Sequence, residues 1–524
     1  MAERDGGTGD ASADASLAEF GYRPELQRTL GSFHTFAAGI SYISILTGTF
    51  QLFYFGFGQG GAAYWWSWPV VFAGQLLVAL CFAELAARYP VAGSVYNWAK
   101  RLGNPHVGWL AGWMMLVASI VSLAAVALAY QMTLPRISSS FQIVGDGEGR
   151  YDAATNAVLL ASVLILFTTL VTAFGVRLTA RINTAGVFVE LIATVLLIVL
   201  LAAHAVRGPD VVLDTGGVGA GQDLGYLGAF LTASLASAYV MYGFDTAASL
   251  GEESLDPARN APRAILRALV ASFVLGGLVL LLALMSVGSL DAEELSSDGL
   301  QYVVLDVLGG AAGKAMLWCV VIAVTVCALA VHTAAVRLAF AMARDTNLPA
   351  APLLARVSPR FRTPVLPAVV VGVLALAVLA VNIRQPQIFS VVTSIGIIMI
   401  YLAYLLVTVP MLVARVRGRW RSEPPGEGRG TAGARRFTLG RYGLPVNVLA
   451  VVWGAAMTLN LAWPRSAVYN AAPPHHWYLR WGAFLFVGTV ALGGFAYYWC
   501  VQRHRTGVLA EHAAESAHAD RRDP

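Results

Sequence analysis

The sequence predicts an all-helical protein that crosses a membrane twelve times. Of its 524 residues, 57% are hydrophobic and 12% are charged, whereas a soluble domain averages about 25% charged residues. A membrane-spanning helix needs about 20 mainly apolar residues. Twelve segments satisfy that length, near 32–58, 67–88, 107–134, 153–175, 179–205, 226–250, 262–288, 313–343, 364–383, 386–414, 444–463 and 478–501.

The basic residues of the loops predict the orientation of these spans. On one side of the twelve-span arrangement, the loops and tails carry 27 of the 35 Lys and Arg residues, and the loops on the opposite side carry seven. The remaining one, Arg337, lies inside a span. Because cytoplasmic loops collect Lys and Arg, we expect a plasma-membrane protein with both termini in the cytoplasm of a bacterial cell.

Polar segments flank and divide the predicted spans. Residues 1–30 lack the apolar core of a signal peptide and are rich in Asp, Gly, Ser and Ala, so we expect a disordered cytoplasmic tail. The loop 415–441 is rich in Arg, Gly and Pro, and is either a solvated linker or a surface that binds anionic lipid. It separates the first ten spans from the last two, which occupy 442–503, and residues 504–524 form a second cytoplasmic tail.

Spans one and six contain residues that lipid disfavours. Span six carries Gly243 and Asp245. A carboxylate near the bilayer centre costs about 2.5–3.5 kcal/mol, and a glycine inside a helix costs about 1 kcal/mol. Span one carries Gly48 within a polar run that includes Ser44, Thr47 and Thr49. These positions indicate helices broken around a solute site; the alternative is a kinked, buried helix with a hydrogen-bonded Asp.

The spacing of the two interrupted spans predicts a repeat. They are five spans apart, and an odd offset reverses the direction in which a segment crosses the membrane. Residues 31–205 and 226–414 are therefore expected to form two inverted repeats of five spans, followed by two C-terminal helices. Interrupted spans at corresponding positions in two halves indicate a transport site between the halves.

Three segments of the chain resemble a known transporter superfamily. They are AELAARYPVAGSVYNWAKRLGNPHVGWLAGW at 83–113, GFDTAASLGEESLDPARNAPRAI at 243–265 and RLAFAMARDTNLP at 337–349. In this order they are similar to the amino acid–polyamine–organocation transporters, and spans one and two look closest to the amino acid/choline branch. The resemblance covers roughly residues 30–415 and implies the leucine-transporter fold.

The resemblance also implies where a substrate binds. The superfamily's Gly-Ser-Gly-Ile-Phe motif of span one corresponds to residues 46–50 here, with Leu46 in place of the first Gly. N–H groups at this half-helix N-terminus would hold a substrate carboxylate. Residues 242–245 match the unwound point of span six, whose freed carbonyls would face an ammonium group. The implied substrate-binding residues are Tyr42, Ser44, Thr47, Gly48, Thr49, Tyr242, Gly243, Phe244 and Asp245, and Tyr42 and Phe244 would cover the substrate, with a cation–π contact to a quaternary amine as one option.

Charged residues in or near the spans predict coupling and gating. Glu190 is the only acidic residue of span five, at a position where several relatives in the superfamily carry a Lys that stands in for sodium. A carboxylate at mid-depth is stable when it is protonated or paired with a cation, so Glu190 is the coupling candidate; the alternative is a Glu that stays protonated and hydrogen-bonded. Glu252 and Glu253 are expected to form gating salt bridges with Arg337 or Arg344.

Two other polar residues within spans are expected to have structural roles. Glu84, at the end of span two, is interpreted as the partner of an Arg rather than as a ligand. His332, in span eight, is interpreted as hydrogen-bonded packing rather than as a proton relay.

The sequence therefore predicts a secondary active transporter that imports an amino acid or a related amine by alternating access. γ-Aminobutyrate, choline and polyamines stay open as substrates, and a nutrient receptor that binds without transport, or a passive channel, stays open as a class. The sequence contains no ATP-binding motif and no nucleophile–base set, and its four cysteines lack metal-ligand spacing. A pump, an enzyme and a cofactor or metal site are therefore not expected. The expected partners are the solute, a proton or sodium ion and the lipid bilayer, with no nucleic acid.

Overall fold

Helices form the regular secondary structure of the described part of the chain. The computed structural model describes residues 21–23, 31–147, 149, 151–220, 224–361, 363–381, 383, 388–420, 436–469 and 475–510. Most of the predicted N-terminal tail (1–20 and 24–30), residues 421–435 of the predicted basic loop and residues 511–524 of the C-terminal tail lie outside the described residues.

The helices of the first half run from residue 32 to residue 203. In chain order they are α1 (Ser32–Ile43), α2 (Ile45–Gly60), α3 (Ser67–Arg88), α4 (Ser94–Leu102), α5 (Pro105–Ile137), α6 (Asp152–Phe174) and α7 (Val176–Ala203). A 3₁₀ turn at Ala62–Trp66 leads into α3. The short α4 packs against α5 and α15, the latter being Ile388–Val416.

The second half repeats this mixture of long and short helices. They are α8 (Tyr226–Val240), α9 (Thr246–Ser249), α10 (Pro257–Ser286), α11 (Glu293–Ser297), α12 (Leu300–Arg344), α13 (Ala351–Leu354), α14 (Val365–Val381) and α15. The C-terminal part adds α16 (Gly443–Ala462), α17 (Ser466–Tyr469), α18 (Trp477–Arg480) and α19 (Gly482–Tyr497).

Ten stretches of the described residues are long and apolar enough to cross a membrane, so the chain is a multi-pass membrane protein. Two shorter apolar helices, α8 and α14, lie at predicted spans six and nine, and the count of twelve stays a prediction. α12 begins at Leu300 and consists of two helices that meet at the non-helical backbone of Gly309 (φ 75°, ψ 170°). The second of these begins close to residue 313, the predicted start of span eight.

The first predicted span lies deep inside the helix bundle. In Ser32–Gly60, 94% of the apolar window is buried, compared with 11% in Gly482–Gln502 near the C-terminus. α2 packs against α8, α1 packs against α10, and α12 and α15 both pack along α5. The polar interruptions of spans one and six are therefore enclosed by other helices rather than presented to lipid.

Local signals in the sequence account for several helix ends. The side chain of Asn104 accepts a hydrogen bond from the N–H of Val107 (2.9 Å) and caps α5, whose first residue is Pro105. Proline suits this position because the first N–H groups of a helix have no partner within the helix. Pro257 begins α10 in the same way. These caps fix where the long helices start.

Two polar side chains connect neighbouring helices of the bundle, in the structural roles that the sequence predicts. Glu84 on α3 forms an ion pair with Arg415 on α15. His332 on α12 contacts Thr168 Oγ1 through Nδ1 (3.0 Å) and the carbonyl of Ala368 through Nε2 (3.0 Å). Both sets of contacts fit the structural roles predicted for these residues.

Candidate functional site

Span one is broken at Ser44. α1 ends at Ile43 and α2 begins at Ile45, and Ser44 between them has φ 38° and ψ 99°. A positive φ is uncommon for a residue other than glycine and marks strain held by the surrounding structure. The break therefore interrupts the helix at a single residue inside the bundle.

The expectation that Gly48 is the breaking residue is wrong. Gly48 lies inside α2, and its N–H donates to the carbonyl of Ser44 (3.0 Å) as in a regular helix. A Cβ at Gly48 would lie 2.6 Å from Val240 Cγ2 on α8. The glycine is required because α2 and α8 pack closely there, and small residues permit such approaches between helices.

Span six is broken over several residues around Gly243, as the sequence predicts. α8 ends at Val240 and α9 begins at Thr246. Gly243 has φ 84°, a conformation that glycine adopts without steric cost. A Cβ at Gly243 would lie 2.0 Å from Tyr42 Cδ1 on α1. The two breaks are thus adjacent, and Tyr42 packs directly on the second.

Glu190 caps the second half of span one. Its side chain is buried on α7, and Oε1 accepts hydrogen bonds from the hydroxyl of Ser44 (2.9 Å) and the N–H of Leu46 (3.2 Å). The Ser44 hydroxyl also lies 2.6 Å from Thr47 Oγ1. A helix N-terminus has unpaired N–H groups and a positive dipole end. Glu190 therefore occupies the anion-binding end of α2.

Thr49 points elsewhere. Its hydroxyl donates to the carbonyl of Ile45 (2.6 Å) within α2. The polar residues and the glycine of span one therefore fall into two groups. Ser44 and Thr47 lie at the break beside Glu190, whereas Gly48 and Thr49 serve the packing and the hydrogen bonding of the helix itself.

Asp245 is held at the second break by two other helices. Tyr404 on α15 donates its hydroxyl to Asp245 Oδ1 (2.6 Å) and accepts the N–H of Gly243 (3.0 Å). Ser94 on α4 donates to Asp245 Oδ2 (3.3 Å). Tyr404 and Ser94 were not predicted from the sequence. Two tyrosines, Tyr401 and Tyr404, in the otherwise apolar segment YLAYLLV were the available signal for Tyr404.

Aromatic rings fill the space between the breaks. Tyr242 makes edge contacts with Tyr42 (centroids 5.9 Å apart) and with Tyr239 (5.8 Å), and Phe244 lies 5.5 Å from Tyr404. The hydroxyls of Tyr42 and Tyr239 are buried and have no hydrogen-bond partner within the described residues. Free hydroxyls and aromatic faces therefore lie close to a buried carboxylate, an environment that suits a cation.

Comparison with known proteins decides the family. Residues 30–491 match the family described as amino acid permease. The chain belongs to the amino acid permease family. It is therefore a transporter of amino acids or related substrates in the amino acid–polyamine–organocation superfamily, and not an enzyme, which confirms these predictions.

Relatives of this permease come from plants, fungi and bacteria. It is 26% identical over 473 residues to amino-acid permease BAT1 of Arabidopsis thaliana, covering 86% of this chain and 89% of the relative. It is 26% identical over 470 residues to amino-acid permease 2 of Neurospora crassa, covering 86% and 82%. It is 30% identical over 341 residues to the methylthioribose transporter of Bacillus subtilis, covering 62% and 70%.

Two buried ion pairs of the permease join α12 to the segment that follows α9. Arg337 Nε and Nη2 bind Glu253 Oε1 (2.5 Å) and Oε2 (3.1 Å). Arg344 Nη2 and Nη1 bind Glu252 Oε1 (2.7 Å) and Oε2 (3.1 Å). The predicted acidic and basic residues thus meet, each Arg in a bidentate pair that fixes distance and orientation together.

The end of α12 also binds a residue from the predicted disordered tail. Tyr22 is buried; its ring lies 3.6 Å from the guanidinium carbon of Arg344, and its hydroxyl donates to Asp345 (2.9 Å). Burial and the nearby Asp345 carboxylate raise the pKa of Tyr22 well above its usual value, so the hydroxyl stays a donor. Lys100 and Tyr96 on α4 bind the same carboxylate at 2.5 and 2.6 Å. Tyr22 is therefore anchored, although the composition around it predicts disorder.

Proposed function

We propose that this permease is a secondary active transporter that moves an amino acid or a related amine across the plasma membrane by alternating access. One observation carries the proposal: two broken helices meet inside the bundle, with Tyr42 packed on Gly243 and a buried carboxylate at each break. We further propose twelve spans, with inverted repeats at 31–205 and 226–414, two C-terminal helices and both termini in the cytoplasm.

The proposed solute site lies between the breaks. Asp245 accepts hydrogen bonds from a solute ammonium group, and Tyr42, Tyr242 and Phe244 cover it. Ser44 and Thr47 supply polar contacts at the first break. Gly48 and Thr49 act indirectly here, because they shape α2 and its contact with α8.

Glu190 supports a second candidate, an amine that has no carboxylate. The resemblance assigns the N-terminus of α2 to the substrate carboxylate, but Glu190 already accepts the Leu46 N–H there. Within the described residues, no Lys or Arg forms an ion pair with Glu190 or Asp245. Choline or a polyamine would complement two such carboxylates, and one relative, the methylthioribose transporter of Bacillus subtilis, is named for a solute that is not an amino acid.

Coupling to an ion is assigned to Glu190. A buried carboxylate without a cationic partner is costly unless a proton or a metal cation neutralises it. Its hydrogen bonds to Ser44 and Leu46 connect that neutralisation to the conformation of the break. A proton or sodium ion that binds Glu190 would therefore change how tightly α2 is capped and, with it, the shape of the solute site.

Gating is assigned to the two ion pairs of α12. Alternating access requires the segment after α9 to move relative to α12, and this movement separates Glu253 from Arg337 and Glu252 from Arg344. Removing one partner of a buried pair costs about 3–5 kcal/mol. Separating the pairs would leave buried charges uncompensated, so they keep one end of the pathway closed until solute or ion binding compensates.

Counterflow of labelled solute into proteoliposomes tests the proposal. A thermal-shift screen first selects solutes from amino acids, amines and choline, including lysine and cadaverine, which differ only in the carboxylate. Exchange of lysine supports the first candidate, and exchange of cadaverine without lysine supports the second. Binding without exchange would identify a receptor, and flux that never concentrates solute against an ion gradient would identify a channel. Asp245→Asn and protein-free liposomes serve as controls.

A further inference from the structure

A second cavity, with polar groups in a mainly apolar lining, includes one of the ion pairs in its wall. It is a cavity of about 60 Å³, enough for roughly four water molecules at about 10–15 Å³ each. Its walls come from α1, α6, α7, the segment from α9 onward, and α12. The lining includes His34, Thr172, Asn183, Thr184, Thr246 and the paired Glu253 and Arg337, together with four alanines.

The polar groups of this cavity lack partners. His34 Nδ1, Thr172 Oγ1, Asn183 Oδ1 and Thr184 Oγ1 are buried atoms with no hydrogen-bond partner in the described part of the chain. Thr172 is only 4% exposed. Buried polar groups are normally hydrogen-bonded, so four such atoms around one cavity indicate an occupant that supplies the missing bonds.

All four of these atoms can accept a hydrogen bond. The carbonyl oxygen of Asn183 can only accept, hydroxyl oxygens accept through their lone pairs, and a histidine Nδ1 accepts when the proton is on Nε2. Glu253 also lines the cavity, and its oxygens keep lone pairs beyond those that Arg337 uses. An ammonium group carries three donors and no acceptor, and so matches this set of acceptors.

We propose that this cavity is a second binding site for the ammonium group of the solute, beside the pathway to the ion pairs. The inference rests on the proposed transport function, because amino acids and amines share this group. Thr246 in the cavity wall directly follows Asp245 in the chain. A solute that leaves Asp245 therefore passes hydrogen-bond acceptors in the cavity wall before it reaches Glu253. Its ammonium group can remain hydrogen-bonded during this movement.

Direct binding of radiolabelled methylammonium to the detergent-purified full-length chain tests the cavity alone. The Glu190→Gln/Asp245→Asn double variant removes both carboxylates of the first site, and we expect it to retain weaker methylammonium binding. Adding Asn183→Leu should lower that remaining affinity about tenfold, the usual effect of losing one hydrogen bond to a charged group. Adding Asn183→Asp should raise it, because an anion replaces a neutral acceptor. Thr489→Val is the matched control, since that exposed hydroxyl bonds within its own helix.

The opposite signs of the two Asn183 variants exclude a general loss of folding as the cause. Loss of all binding in the Glu190→Gln/Asp245→Asn variant, or equal affinity with Asn, Leu and Asp at position 183, would overturn the second site. Counterflow by the wild-type chain is measured separately. Exchange without the second class of binding contradicts this inference alone, and binding at both sites without exchange contradicts the transport function alone.

Discussion

The sequence predicts a functional role for Glu190 but does not predict which residues it contacts. A carboxylate in the middle of an apolar segment is costly enough to predict a role. Its hydrogen bond to the N–H of Leu46 depends on how α7 packs against the first span, and composition does not encode that packing. The carboxylate caps a half-helix, whose positive dipole end favours an anion.

Replacing Glu190 by Gln should separate exchange from accumulation. The glutamine side chain keeps the size and one hydrogen-bonding oxygen of the glutamate but cannot bind a proton or pair with sodium. We expect counterflow of solute to persist in Glu190→Gln and accumulation driven by a pH or sodium gradient to be lost. Glu293→Gln, which alters an exposed carboxylate on α11, should behave like the wild type. Gradient-driven accumulation at the wild-type level in Glu190→Gln would exclude this residue and leave Asp245 as the next candidate.

The pair of Glu253 and Arg337 should control access to the cavity beside it. Glu253→Gln leaves Arg337 buried without its partner, at a cost of about 3–5 kcal/mol to the closed arrangement. A reporter cysteine, Ala180→Cys, lies in the cavity wall. We expect maleimide to modify it faster in Glu253→Gln, and the charge exchange Glu253→Arg with Arg337→Glu to return the rate toward the wild-type value. An unchanged rate in Glu253→Gln would show that the pair does not hold this end closed.

At the scale of helices, the two breaks use different chemistry. In span six, Gly243 supplies the positive φ and the free space that Tyr42 occupies. In span one, Ser44 takes the unusual conformation, and its hydroxyl is held by Glu190. The two breaks therefore differ in residue type. If the proposed inverted repeat is present, this difference explains why the sequence shows no residue-level repeat.

This difference predicts which glycine variants can be rescued. Gly48→Ala and Gly243→Ala should each reduce solute uptake strongly, because each new Cβ would lie 2.6 Å or less from a neighbouring side chain. Adding Val240→Ala should restore uptake in Gly48→Ala by making room between α2 and α8. Adding Tyr42→Ala should not restore Gly243→Ala, because the positive φ still strains a residue with a Cβ, at about 1–3 kcal/mol. Gly488→Ala, which meets nothing within 4 Å, is the control, and membrane insertion is checked by surface labelling. Rescue of Gly243→Ala by the Tyr42 change would contradict the role given to its backbone.

The two broken spans show which structural features of this membrane protein the sequence predicts and which it does not. The cost of Asp245 and Gly243 in lipid predicts an interrupted helix, and the structure has one there. The same reasoning fails at Gly48, because a glycine marks either a break or a close helix crossing and only the neighbour, Val240, distinguishes them. Tyr404 was missed because a tyrosine in an apolar span gives no sign of which helix it faces. Residue spacing does not predict the contacts between segments that are distant in the chain.

At the scale of the whole molecule, both described ends of the chain meet at the end of α12. The hydroxyl of Tyr22 donates to Asp345, and the N–H groups of Gly507 and Leu509 donate to the carbonyls of Asp345 (3.1 Å) and Arg344 (3.0 Å). The buried pair of Arg344 and Glu252 lies at the same place. The N- and C-terminal segments therefore lie at the same end of α12. The proposed even number of crossings requires both to be on one side of the membrane, and the loop charges predict that this side is the cytoplasm.

Cysteine labelling tests this assignment and the number of spans together. In a Cys500→Ser background, which removes an exposed thiol, we expect a membrane-impermeant maleimide to label Asn104→Cys, Arg181→Cys and Gly426→Cys only from the cytoplasmic side, and Gly147→Cys only from outside. Asn104, Arg181 and Gly147 are exposed, so access to the reagent depends on the side of the membrane rather than on burial. If all four residues were labelled from the reverse sides, the orientation would be wrong while the number of crossings stood. If Gly426→Cys alone were labelled from outside, an odd number of crossings would separate it from Asn104, and ten spans before the basic loop would be excluded. The four positions therefore distinguish an error in the charge argument from an error in the count of helices.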